Sequence, residues 1–215
     1  MSSWIDRSMP WLGVFPIAVE LANTVVITGS GAVDSMATDQ ELETWIQAET
    51  ARFPIAEVAR GHLPEVRALR EDVRALLFAT VEGRPLPNAP RVSINRMSSR
   101  SPRFPALNDD GVTTIRDLSR DGFIEFCGTV ARSAIEILGG DGRSQLGICG
   151  APSCGMFFLA TNSRQTWCSS ACGNRARVAR HAARSRKRSS LPAAPVQASP
   201  VRQAMRRRLD ARRGP

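Results

Sequence analysis

Four cysteines in the C-terminal third stand at metal-binding spacing: Cys149-x4-Cys154, thirteen intervening residues, then Cys168-x3-Cys172. Two close pairs separated by a dozen or so residues let each pair form a tight knuckle, and the two knuckles can close a tetrahedron around zinc. Four thiolates fill the coordination sphere and leave no position for water, so the expected ion is one structural Zn2+ rather than a catalytic one. Gly150, Pro152 and Gly155 permit a tight turn at the first pair. Met156 to Ala160 reads as a short apolar strand, Asn162-Ser163-Arg164 as a turn, and Trp167 returns the chain to Cys168, so a hairpin between the pairs is expected to unite the knuckles. Gly173 and Asn174 lead into a helix running to about Arg188, which puts the second pair at a helix N-terminus, where the dipole favours thiolate. Metal binding in such modules is worth on the order of 10–16 kcal/mol apparent, against about 5–15 kcal/mol for the stability of a whole domain. A small module with few large apolar groups is therefore expected to unfold without its metal. The fifth cysteine, Cys127, falls on the apolar face of a long helix and reads as packing. His181 follows Cys172 by nine residues and reads as a phosphate contact or a solvated side chain, since four cysteines suffice.

The helix after the last cysteine carries its own pattern. Arg177, Arg180, Arg184 and Arg188 fall at offsets of three, seven and eleven, hence on one stripe. Arg175, Arg186 and Lys187 broaden it, Asn174 precedes it, and Val178 and Ala182 are expected to face the knuckle. Guanidinium groups on a rigid helix suit phosphate and guanine contacts. Like charges at these spacings repel by a few tenths of a kcal/mol per pair, so an uncompensated stripe points to a polyanion more than to a solvated surface helix. The net charge of +9 is itself local. From Arg175 to Pro215 there are 13 basic side chains against one acid, Asp210, while residues 1–174 hold 16 basic and 19 acidic ones. Such asymmetry assigns the partner to the C-terminal part, the alternative being a solubilising tail. Lys187 is the only lysine beside 28 arginines, a bias that genome composition alone can produce. Clustering is the better argument.

These groups need elements to hold them. A chain of 215 residues can bury one moderate core plus a small appended module. An apolar segment, Val14 to Val25, is closed by Asn23, Thr24 and the Gly29-Ser30-Gly31 stretch. Thr38 and Glu41 form a capping-box pair before a short helix with Leu42, Trp45 and Ile46 on one face. Pro64 opens the next helix. Val66, Leu69, Val73, Leu76, Leu77 and Thr80 line its inner face, with Arg67, Arg70, Glu71 and Arg74 outside, and Gly83, Pro85 and Pro87 end it. A shorter helix is expected from about Ala89 to Ser99. Phe104–Leu107 and Val112–Ile115 can pair as a hairpin across Asn108-Asp109-Asp110-Gly111. A long helix from about Ser119 to Leu138 is stopped by Gly139-Gly140 through glycine's tolerance of positive φ. Pro192, Pro195 and Pro200 among Ser, Ala and Gln mark residues 189–200 as a disordered linker, and Val201 to Pro215 as a basic tail. The fold class is thus mainly α (α+β with short hairpins). A helical N-terminal domain, residues 1–145, precedes a small treble-clef-like four-cysteine zinc module, residues 146–188, and a disordered basic tail, residues 189–215.

Trp167-Cys168-Ser169 followed by Cys172-Gly173-Asn174-Arg175-Ala176-Arg177 resembles the CGNR zinc-finger family, named for that tetrapeptide. Members carry an upstream pair like Cys149 and Cys154 and an aromatic strand like Phe157-Phe158. Leu21-Ala22-Asn23-Thr24, then Val33-Asp34, then Glu41-Leu42 with Trp45 resemble the ABATE domain that precedes this finger and is described as a stress-induced transcription regulator. The two similarities cover about residues 14 to 188. The resemblance implies metal ligands at Cys149, Cys154, Cys168 and Cys172 and a DNA-binding role for the finger. The final pair is spaced by three residues where many members have four, and no ligand is lost by it. Many members have an acidic residue and an arginine-rich turn where this chain has Ala160 to Thr166 with Arg164 as its one arginine, leaving the helix from Asn174 to Arg188 to dominate any base contacts.

Enzyme signatures are missing: there is no Walker loop, no GxGxxG after a strand, no G-x-S-x-G and no HExxH. Two histidines and no tyrosine leave few acid–base candidates. No run of about 18 apolar residues is present to span a bilayer, and the patch from Trp11 to Val19, interrupted by Pro16, lacks a basic leader. The expected setting is the cytoplasm, where five cysteines serve metal or packing rather than disulfides. The leading expectation is a non-enzymatic DNA-binding transcriptional regulator whose N-terminal domain takes a small-molecule effector or a partner. A homodimer would enlarge the small footprint of one finger on double-stranded DNA. The alternatives are a zinc-stabilised RNA-binding or ribosome-associated protein and a protein-interaction adaptor with a purely structural finger.

Overall fold

Helices and three two-stranded antiparallel hairpins alternate along the chain in a computed structural model that describes residues 12–28, 31–49, 61–119 and 121–189. The fold is the mainly α, short-hairpin class expected. Trp11, Gly29, Ser30, the linker and tail beyond Ser189, and the side chains of Lys187 and Arg188 lie outside the described residues.

Helix α1, Ile17–Ala22, is buried along its whole length, Glu20 included. That carboxylate accepts from the backbone N–H of Gly13 at 3.0 Å and of Phe15 at 2.6 Å, which offsets the cost of burying it. Strands β1 (Val25–Thr28) and β2 (Gly31–Asp34) then pair with Val25 opposite Asp34, a hairpin that the sequence reading did not anticipate. Helix α2, Asp39–Glu49, starts on the expected capping box: Thr38 N–H donates to Glu41 Oε2 at 2.9 Å and Glu41 N–H to Thr38 Oγ1 at 3.3 Å. Leu42, Trp45 and Ile46 are buried as expected.

Helix α3, Leu63–Val81, has Pro64 in its first turn and buries Val66, Leu69, Val73, Leu76 and Leu77. Two of its arginines correct the sequence reading, which placed them outside: Arg70 is 4% exposed and Arg74 8%. The reason is local pairing. Arg70 grips both carboxylate oxygens of Asp34, at 2.7 and 2.9 Å, and donates to Thr24 Oγ1 at 3.1 Å. Arg74 donates to the carbonyls of Ala22 at 2.6 Å and Val25 at 3.0 Å. Burial raises the Asp34 pKa, but the Arg70 hydrogen bond, the Met36 backbone N–H and the charges of Arg70 and Arg67 outweigh it and hold the carboxyl below its ordinary value.

Helix α4 spans Asn88–Arg100, and strands β3 (Arg103–Leu107) and β4 (Thr113–Asp117) form the expected hairpin. Arg103, Ser101 and Arg132 all reach the Asp117 carboxylate and fix the hairpin's base. Helix α5, Gly122–Gly139, starts three residues later than expected because Asp121 caps it, its carboxylate accepting from Phe123 and Ile124 N–H. It packs on α1, α3 and α4, with Trp45 meeting Phe126 edge-on at 6.1 Å. Gly140 ends it at φ −111°, not in the positive region expected; a side chain there would strike the Glu136 carbonyl at 2.8 Å. Cys127, 3% exposed in this core, has its thiol pushed up to about 12 by burial, the signature of packing. A short helix α6, Gly142–Gln145, leads into strands β5 (Leu146–Ile148) and β6 (Phe157–Leu159), and α7 spans Ser170–Ser189. The chain divides into two units between Ala176 and Arg177.

Candidate metal centre

The first cysteine pair sits on a hairpin different from the one expected. Strand β6 pairs back onto β5, with Ile148 opposite Phe157 and Leu146 opposite Leu159, so the knuckle Cys149–Cys154 is the turn of this hairpin. The hairpin expected from the sequence lies between the two pairs. Cys149 N–H donates to Met156 O at 2.9 Å and Gly155 N–H to Cys149 O at 3.1 Å, folding the loop tightly. Ser153 (φ 56°) and Gly155 (φ 102°) supply the left-handed turns. The second pair arrives from the opposite side: Cys168 precedes α7 and Cys172 lies in its first turn. Ser169 Oγ accepts the Cys172 N–H at 3.2 Å, capping the helix end.

All four sulfurs converge, every ligand atom lying within 4.8 Å of the others. Sγ of Cys154 and Cys168 are 3.7 Å apart, Cys168 and Cys172 3.4 Å, and Cys154 and Cys172 3.7 Å. Zn–S bonds of about 2.3 Å in a tetrahedron require sulfur separations of about 3.8 Å. The donor set therefore fits one zinc ion, with Cys149, Cys154 and Cys172 buried and Cys168 half-buried. A closed four-sulfur sphere gives a structural ion that ties the β5–β6 turn to the start of α7. The Cys154 sulfur is prepared to ionise: the Cys168 hydrogen bond, opposed by burial and helped by Met156 N–H and the other thiols, brings it down to about 5. Cys168, which gives that hydrogen bond, is pushed up correspondingly. Metal binding must expel such protons.

Arg175, expected among the phosphate contacts, also reaches the cluster: its Nη2 donates to Cys172 Sγ at 2.9 Å. A cation here offsets the two surplus negative charges of a zinc tetrathiolate. Gly173 packs closely under Trp167, where a Cβ would lie 3.1 Å from the ring. Ala176, buried at 5%, turns inward, whereas Val178, expected to face the knuckle, is 67% exposed. Asn174, Arg177, Arg180, Arg184 and Arg186 are exposed on α7, as is His181.

Residues missed by sequence reasoning hold the site from behind. The Asn23 amide donates to Phe157 O at 2.9 Å and accepts from Phe157 N at 2.8 Å. Arg74 lies over the rings of Phe78 and Phe157, at 5.4 and 5.9 Å, and those rings meet edge-on at 4.7 Å. Phe157, Phe158, Met156, Cys149 and Ala176 belong to the same buried cluster as Leu21, Leu77 and Val130. The cysteine hairpin thus shares its core with the N-terminal helices. Only the Leu-Ala-Asn-Thr string hinted at Asn23. Nothing in the sequence marked His62, whose ring stacks on Phe123 at 3.8 Å.

Fold and site define a class: a mainly helical protein completed by a structural tetrathiolate zinc finger. Residues 16–141 match the model of the ABATE family, described as "Putative stress-induced transcription regulator". The chain belongs to that family, and residues 145–185 match the CGNR zinc finger. No curated protein matches the chain.

Proposed function

We propose that this protein is a non-enzymatic transcriptional regulator of the cytoplasm that binds double-stranded DNA through α7. One observation carries the reading. The helix that contributes ligand Cys172 continues with exposed Arg177, Arg180, Arg184 and Arg186, and the sequence from 142 to 209 contains no Asp or Glu. A metal-anchored helix limits the conformational freedom that a basic segment would otherwise lose on binding. Asn174, Lys187 and Arg188 complete the proposed contact set. An open cavity of about 440 Å³ lies over the cluster, lined by Val14, Phe15 and Val26 together with Cys154, Cys168 and Cys172, so an effector held there would sit against the metal ligands. Among the described residues no helix is long and apolar enough to cross a membrane.

The test is genome-wide mapping of DNA bound by the full-length protein, run beside Cys168→Ser. Discrete peaks lost in the variant support the reading. Absence of DNA enrichment together with recovery of structured RNA would replace it with an RNA-binding role.

A further inference from the structure

The β3–β4 hairpin has one protected edge and one open edge. In the antiparallel ladder, Asn108 N–H donates to Val112 O and Leu118 N–H to Pro102 O, both at 3.0 Å. Bonded pairs alternate along such a ladder, and with the register Pro105 opposite Ile115 the backbone groups of Arg103, Pro105 and Leu107 point away from β4. Those of Thr113, Ile115 and Asp117 point away from β3. Pro105 has no N–H, so the outer edge of β3 is blocked at its centre. Strand β4 has no such block. It also carries three exposed apolar side chains at or beside its ends and centre: Val112 at 57%, Ile115 at 63% and Leu118 at 62%. A two-stranded hairpin that shows apolar side chains and a free edge is marginal alone and is a template for strand pairing.

The spacing selects the partner. Val112 and Leu118 lie three residues to either side of Ile115. When two β4 strands are laid antiparallel about Ile115, Val112 of each meets Leu118 of the other and the two Ile115 side chains meet at the axis. Thr114 then meets Arg116 of the second copy, so the two arginines are not opposed. The outward N–H and C=O groups of Thr113, Ile115 and Asp117 pair with their counterparts. We propose that this protein forms a two-fold dimer by β4–β4 pairing centred on Ile115, joining two hairpins into one four-stranded sheet. Val112 and Leu118 lie on one face of the strand and Ile115 on the other, so each face of the joined sheet gains a symmetric apolar contact, as a closed two-fold interface requires. The inference is independent of nucleic-acid binding, although a dimer would give the protein two basic helices.

The test uses the full-length zinc-loaded protein in sedimentation velocity across a concentration series, with amide hydrogen exchange. Wild type should dimerise, with amides of Thr113, Ile115 and Asp117 gaining protection as concentration rises. Ile115→Lys sets two charges against each other at the axis and should weaken dimerisation by at least about tenfold. Val92→Lys, at an exposed site on α4, should leave it unchanged; unaltered circular dichroism and zinc content would show that both variants fold. A wild-type protein that stays monomeric throughout, a dimer indifferent to Ile115→Lys, or protection of this edge by a different protein instead of a second copy would each overturn the proposal.

Discussion

The side chain of Asn23 and the backbone of Phe157 form a closed pair of hydrogen bonds, amide to peptide, across 134 residues of sequence. Asn23 has no solvent exposure and Phe157 has none. The amide thus acts as one more strand residue at the edge of β6, satisfying groups that no other strand reaches. It joins the segment after α1 to the hairpin that carries Cys149 and Cys154.

Replacing Asn23 with Ala should therefore cost about 2–4 kcal/mol, since it strands a buried N–H and a buried C=O. Urea unfolding of the zinc-loaded protein checks this. Stability within about 0.5 kcal/mol of wild type would mean that the clamp is dispensable.

Arg175→Ala should weaken zinc binding about 10–100-fold, the usual effect of losing a partner that tunes a metal ligand. Competition against a chromophoric chelator measures it. An unchanged affinity would mean that Arg175 does not tune the metal site.

Asp34→Asn should lower stability by about 3 kcal/mol at neutral pH, because it leaves the buried Arg70 with only the exposed Glu71 carboxylate as counter-charge. The folded carboxyl titrates below its ordinary value, so its contribution is complete above about pH 4 and is lost as the pH falls through the lowered value. The stability gap between wild type and Asp34→Asn should accordingly shrink below about pH 4. Comparing the gap removes the thiolate protonation that releases metal from both proteins. A gap constant down to pH 3 would contradict the assignment.

Changing Arg177, Arg180 and Arg184 together to Glu should abolish duplex DNA binding. Wild-type affinity should fall steeply with salt, each neutralised phosphate adding about 0.9 to the log–log slope. Anisotropy titrations with duplex DNA and folded RNA at matched salt read both effects. Affinity that is flat in salt, or retained by the triple variant, would favour the adaptor role.

Much of this arrangement is legible in the sequence, and the exceptions have physical causes. Cysteine spacing, the Thr38–Glu41 cap and the inner faces of α2 and α3 are local patterns, and local patterns survive folding. Arg70 and Arg74 read as surface because charge normally stays in water; their partners, Asp34 and two carbonyls, come from 36 to 52 residues away. The partner of β6 was misjudged for a related reason. Leu146–Ile148 is three residues long, too short for periodicity to register. Asn23 carried a polar label that hid a strand-like role.

The central claim is that one zinc ion holds Cys149, Cys154, Cys168 and Cys172 together and thereby fixes the start of α7. Metal analysis combined with amide hydrogen exchange before and after chelation tests it most directly. One zinc per chain is expected, and its removal should strip protection from residues 168–180 while Cys127 and its neighbours on α5 exchange more slowly. Purified protein lacking stoichiometric zinc, or keeping α7 equally protected after chelation, would contradict it.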